Sequence, residues 1–200
     1  GQCCCAGSRL FAHEKIFDKV SEGIAKIAEN IKVGPGMESS TEMGPLVSDE
    51  QYQKVAGYIE SGKSEGGEVI AGGNYDNSSG GHFVHPTVFA KTNADMTLVK
   101  EEIFGPVVCA QPFSDESLEK IATEANNTNF GLAASVWTKD ISVAHKMAAK
   151  IRAGTVWVNC HNIFDASLPF GGYKESGWGR EMGHEVLKNY TEVKAVTVNL

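Results

Sequence analysis

The run Gly1-Gln2-Cys3-Cys4-Cys5-Ala6-Gly7-Ser8 sets three thiols among small residues, which leaves space for an electrophilic carbon to approach sulfur. A free thiol with a pKa of about 8.5 is only a few per cent thiolate at neutral pH, so a nucleophilic cysteine needs help from its surroundings. Backbone N–H groups at a turn or helix start supply such help, both to a thiolate and to the oxyanion of an attacked carbonyl. The triplet also fits a small apolar core, because cysteine buries readily. Adjacent cysteines lack the CxxC-type spacing that brings side chains around one tetrahedral zinc, so no metal site is expected.

A second candidate, Glu101-Glu102-Ile103-Phe104-Gly105-Pro106, places a carboxylate and a ring at the mouth of an expected buried strand. A carboxylate there can accept hydrogen bonds from ribose hydroxyls, and a ring can pack on a planar nicotinamide. The alternative is a solvated acidic turn with Phe104 in the core. A third stretch, 169–181, is rich in glycine and aromatics. Gly177, Gly179 and Gly183 approach a dinucleotide fingerprint, but the last spacing is wrong and no clear strand leads in. That stretch reads instead as a shaped loop packing Phe170 and Trp178 around a ligand tunnel or a neighbour. The six histidines are scattered without an HExxH pairing, and His161 beside Cys160 reads as wall or turn.

The elements that must position these residues alternate. Ile16, Val20, Ile24, Ile27 and Ile31 form a helical stripe over 15–31, stopped by Gly34-Pro35-Gly36. Ser48 with Gln51 resembles a capping box opening a helix with Tyr52, Val55 and Ile59 inward and Gly62 as its stop. Short strands are expected at 68–71 and within 83–89, and a buried one at 106–110. Ser114 is expected to cap a helix carrying Leu118, Ile121 and Ala125 inward. Asn129-Phe130-Gly131 reads as a turn before a strand at 133–137; Asp140 opens a helix with Ala144, Met147 and Ile151 on one face, and 155–158 is a strand. The order argues for an α/β fold with a largely parallel sheet flanked by helices and a final strand at 193–198.

Composition narrows the partners. With 42% hydrophobic and 22% charged residues the chain can build a core, and its net charge of −7, without a basic stretch, argues against nucleic acid. No apolar run approaches the roughly 18 residues that would cross a bilayer, so no membrane partner is expected. Five cysteines, three of them consecutive, make a poor disulfide framework and point to a reducing compartment, the cytoplasm.

Together the 1–9 segment, the 101–106 segment, Gly154-Thr155-Val156-Trp157-Val158-Asn159 and Pro169-Phe170-Gly171-Gly172-Tyr173-Lys174 resemble the aldehyde dehydrogenase superfamily, in order and spacing across the chain. The stretches 125–134 and 190–194 add to the resemblance, which is to the broad-specificity class. It implies that Cys4 is the nucleophile, that Glu102 binds the nicotinamide ribose of NAD or NADP, and that Phe104 contacts the nicotinamide. It further implies that Cys3, Cys5, Asn162, Phe164 and Phe170 line the passage for an aldehyde substrate. The expected organisation is the C-terminal catalytic portion of such an enzyme, with a catalytic domain over 1–190 and a strand at 191–200 that joins a homo-oligomer. The resemblance places the dinucleotide-binding domain, an oxyanion-binding Asn and a general-base Glu before this stretch, so the 200 residues alone are expected to be inactive. The competing reading is a non-catalytic assembly fragment with the same fold.

Overall fold

The structure is a computed structural model that describes residues 1–78, 80–115 and 117–200. The chain falls into two compact units, Gly1–Thr128 and Asn129–Leu200, a division that lies inside the expected 1–190 domain.

The first unit runs β1 (Arg9–His13), α1 (Glu14–Asn30), α2 (Asp49–Ser64), β2 (Glu68–Ala71), β3 (Tyr75–Asp76), β4 (Phe83–Val84), β5 (Thr87–Ala90), α3 (Thr97–Lys100), β6 (Val107–Phe113) and α4 (Leu118–Asn126). Its main sheet has the order β1-β6-β5-β2. The pairs β1/β6 and β6/β5 are parallel, while β2 runs antiparallel to β5, so the α/β fold holds but the sheet is mixed rather than largely parallel. The connection from β2 to β5 explains the difference: it passes through the small β3/β4 pair without a helix, and β2 lies on the sheet edge, where an antiparallel neighbour needs no crossover helix.

Helix α2 begins where Ser48 Oγ accepts the Gln51 N–H at 3.2 Å, and it turns Tyr52, Val55, Ala56 and Ile59 inward. These meet Phe89 of β5, Leu98 and Val99 of α3, Ile103, and Val107 and Cys109 of β6 in the main core. Helix α1 departs from the expected stripe. Its buried positions are Phe17, Ser21, Ala25 and Ala28, whereas Ile16 and Ile27 are 51% and 65% exposed. The inward face is therefore rotated toward the small residues, because Ala25 and Ala28 let the helix approach Ala71 and Val88 closely. Helix α4 is capped by Ser117, whose side chain accepts the Lys120 N–H, and not by Ser114. Ser114 comes too early: β6 stays in register with β1 as far as Phe113 opposite His13.

The second unit comprises β7 (Phe130–Gly131), β8 (Ala133–Val136), α5 (Ile141–Lys150), β9 (Thr155–Val158), β10 (Tyr173–Lys174) and a 3-10 turn at Glu185–Asn189. Strands β8 and β9 pair in parallel, and α5 starts where Asp140 accepts the Ser142 and Val143 N–H groups. Phe130 and Gly131, expected as a turn, instead pair antiparallel with β10. Within this single chain 191–200, where a strand pairing in a homo-oligomer is expected, is exposed and lies outside any sheet. A lone segment has no ladder to satisfy its N–H and C=O groups, so alternation alone does not make it a strand.

The packing separates the two helical isoleucine classes. Ile59→Ala in the core should destabilise the first unit by about 2–5 kcal/mol in denaturant unfolding, whereas Ile27→Ser should change it by less than about 0.5 kcal/mol. Comparable losses from both substitutions would contradict the α1 orientation.

Candidate active site

The three thiols sit on a tight turn closed by the Ala6 N–H donating to the Cys3 carbonyl at 3.0 Å. Cys3 and Cys4 are exposed and Cys5 is buried. Cys3 Sγ and Cys5 Sγ lie 3.5 Å apart, and the three sulfur atoms all fall within 4.8 Å of one another. The turn therefore gathers thiols that adjacency in an extended chain would keep apart, contrary to the spacing expectation. The Cys5 backbone N–H, and after it the Cys5 thiol, hold the Cys3 thiol below its ordinary pKa. Burial, followed by the bond to Cys3 and its charge, pushes Cys5 up to about 11. The thiol that the turn acidifies is thus the neighbour of the residue assigned as nucleophile. Cys109 lies in the core on β6, where burial drives its thiol up to about 12, and it is an inert packing residue.

Glu102 and Phe104 lie on the turn between α3 and β6. Ile103 is buried in the main core while its neighbours Glu102 and Phe104 are exposed, so the alternative with Phe104 in the core does not hold. Phe104 has a left-handed backbone, φ 54°, which is unfavourable for a residue carrying a Cβ. Gly105 then passes against Val55, where a Cβ would collide with both valine methyl groups. The Tyr58 hydroxyl donates to Glu101 at 2.7 Å, so of the two adjacent carboxylates it is Glu101 that is tied back to α2. Burial, then this bond, pushes the Tyr58 hydroxyl up to about 12, and it stays a donor across the neutral range.

The two turns adjoin. A Cβ on Gly1 would fall on the Gly105 carbonyl, which means that the start of the cysteine segment lies directly on the end of the Glu102 turn. The start of α2 holds both. Gln2 Oε1 accepts the Val47 N–H at 3.2 Å, next to the Ser48 cap, and Gln51 Nε2 donates to the Ile103 and Phe104 carbonyls at 3.0 and 2.8 Å. The sequence reading took Gln51 only as the far end of a capping box. Its side chain goes elsewhere, and a polar residue in the first turn of a helix beside a conformationally demanding loop was the one available signal.

In the second unit Phe164 and Phe170 meet edge to face with centroids 5.2 Å apart, and Trp157 packs against both Phe164 and His161. The indole N–H of Trp157 donates to the Ile163 carbonyl at 2.7 Å. Asn162, with φ 59°, and Phe164 are exposed on the intervening loop. Phe170 is fixed by a two-bond bridge to Glu181, and Arg180 donates to the Gly172 and Gly179 carbonyls, closing the glycine-rich loop on itself. Arg180 was missed by sequence reasoning. Trp178 is 95% exposed, so it does not join Phe170 in an aromatic wall.

Known proteins match this chain in sequence and fold. Residues 1–196 match the model of the aldehyde dehydrogenase family. The chain is 51% identical over 200 residues to the putative aldehyde dehydrogenase DhaS of Bacillus subtilis, covering all of this chain and 40% of that protein. It is 48% identical to the mitochondrial aldehyde dehydrogenase of Homo sapiens, again over its full length and 38% of the relative. A solved NAD+ complex of an aldehyde dehydrogenase from Bacillus cereus superposes with a TM-score of 0.94 at 54% identity, over 100% of this chain and 40% of that one. The chain thus spans about 40% of the length of these relatives. That extent lends no support to a C-terminal placement, which rests on motif order alone.

The turn electrostatics order the thiols. In iodoacetamide labelling followed by fragment-ion mapping, Cys3 should gain reactivity at a pH below the ordinary thiol range, because its pKa is lowered. Cys5 and Cys109, with raised values, should stay unlabelled until strongly alkaline pH. Labelling of Cys5 ahead of Cys3 would contradict the turn geometry.

Proposed function

Because the chain belongs to the aldehyde dehydrogenase family, we propose that it carries the nucleophile and part of the cofactor contacts of an enzyme that oxidises aldehydes to carboxylic acids. The observation that carries the proposal is the contact of Gly1 with Gly105, which sets the cysteine turn against the Glu102 turn within one unit. Cys4 is exposed at the corner of its turn, so its sulfur is open to a carbonyl carbon. Attack of the Cys4 thiolate forms a carbon–sulfur bond and a thiohemiacetal oxyanion, toward which the Cys4 backbone N–H donates.

The exposed Glu102 carboxylate and Phe104 ring fit a nicotinamide nucleoside: an acceptor for ribose hydroxyls beside a flat apolar face. Bound NAD, or NADP, supplies the hydride acceptor that turns the thiohemiacetal into a Cys4 thioester. Glu102 and Phe104 orient that ring. Cys3 and Cys5 flank the nucleophile, and within the second unit Phe164 and Phe170, in edge-to-face contact, together with Asn162 are the residues to which the family resemblance gives the aldehyde's substituent. Water then hydrolyses the thioester, releasing the carboxylic acid and returning the Cys4 thiol. The second oxyanion donor, an Asn, and the Glu that activates this water belong to the rest of the polypeptide, so residues 1–200 alone do not turn over. A reducing compartment, the cytoplasm, keeps the triplet as thiols.

An assembly role accompanies the chemistry. Val193, Val196 and Val198 are exposed on a segment without a ladder, which suits a strand completed by a second copy of the protein.

Co-expression with the remaining segment of the Bacillus subtilis relative should yield aldehyde-dependent NADH formation. Cys4→Ser should lower kcat by about a thousandfold or more, while Cys3→Ser stays within about tenfold. Unchanged turnover in Cys4→Ser, with loss in Cys3→Ser, would move the nucleophile to the acidified neighbour.

A further inference from the structure

We infer that Gln51 is a positioning residue for the cofactor end of the site: its carboxamide holds the 102–105 turn in the shape that presents Glu102 and Phe104. The inference rests on the proposed function and adds a residue that neither motif contains.

The Val107 N–H donates to the Gly105 carbonyl at 2.8 Å and closes the end of the turn, but that bond does not reach its strained middle. Phe104 sits at φ 54°, a left-handed conformation that a residue with a Cβ adopts only when its surroundings hold it there. Ile103 is anchored in the core before it, and Gly105 is wedged against Val55 after it, but neither contact sets the orientation of the two peptide planes between them. Those planes present the Ile103 and Phe104 carbonyls to one group, the Gln51 amide nitrogen, at 3.0 and 2.8 Å. A carboxamide has two N–H donors on one nitrogen, and two consecutive carbonyls pointing the same way are what such a pair can bind. The lever is stiff at its base: Gln51 lies in the first turn of α2, fixed by the Ser48 cap and by Tyr52 and Val55 in the core.

The chemistry of the amide, and not its bulk, is what the turn requires. Gln51→Glu keeps the size but replaces both donors with a carboxylate facing two carbonyl oxygens, so the turn should relax. Gln51→Lys loses the amide shape and keeps donors that can reach the same carbonyls.

In the co-expressed enzyme, Gln51→Glu should raise the KM for NAD about tenfold, the scale of losing two neutral hydrogen bonds, with the KM for aldehyde within about twofold. Gln51→Lys should recover most of that loss, and the rate of Cys4 alkylation should be unchanged in both variants. A merely structural role would move both KM values together, and a Gln51→Lys variant as poor as Gln51→Glu would also overturn the inference. So would an unaltered KM for NAD in Gln51→Glu while Cys4→Ser remains dead; activity surviving Cys4→Ser would instead remove the reading beneath it. Should Gln51→Glu fail to assemble with its complement, hydrogen exchange on the 200-residue chain decides. Faster exchange confined to 103–107 supports the positioning role, and unchanged or global exchange overturns it.

Discussion

The first turn of α2 has to satisfy its own orphan N–H groups and, with the same few residues, hold the two loops to which the chemistry is proposed to belong. Ser48 caps the helix, the Val47 N–H donates to Gln2, and Gln51 reaches the Ile103 and Phe104 carbonyls. One buried helix face, with Val55 and Ile59 at its centre, therefore transmits core rigidity to the cysteine turn and the Glu102 turn at once. Without that shared base, a left-handed Phe104 and a turn of three thiols would each be free to relax.

Within the cysteine turn the physics is local. A buried Cys5 is held protonated, and its N–H and thiol favour the anion of Cys3. A negative charge on Cys3 in turn adds to the burial that keeps Cys5 a thiol, by like-charge repulsion. The nucleophile assigned to Cys4 thus works next to a competing acid. The relation is a direct result of packing three thiols on one turn, and it makes the residue that reacts first an experimental distinction and not a matter of motif position.

The sequence made the α/β class, α2 and its Ser48 cap, the buried strand at β6 and the chemical candidates legible, because periodicity and capping chemistry are local signals. It misjudged features set by tertiary contact. The isoleucines of α1 looked like the core face, but alanines allowed the closer approach to β2 and β5 and rotated Ile16 and Ile27 outward. Ser114 looked like a cap until the register of β1 with β6 consumed the residues before it. The 193–198 segment is a different case: it has the alternation of a strand, and within one chain no edge lies against it. In the site, the residue types were readable, whereas Gln51 and Arg180 were not: each acts on main-chain carbonyls of a loop distant from it in the chain or folded back on it, and carbonyls leave no mark in a sequence.

A shared anchor is tested most directly by loosening it at one atom and watching both loops. Ser48→Ala removes the cap, a loss of about 1 kcal/mol at the helix start, without touching either loop. Amide exchange followed by NMR should then quicken at residues 2–6 and at 102–105 together. Fraying limited to the first turn of α2, with both loops exchanging as before, would contradict the dependence of the site on that turn.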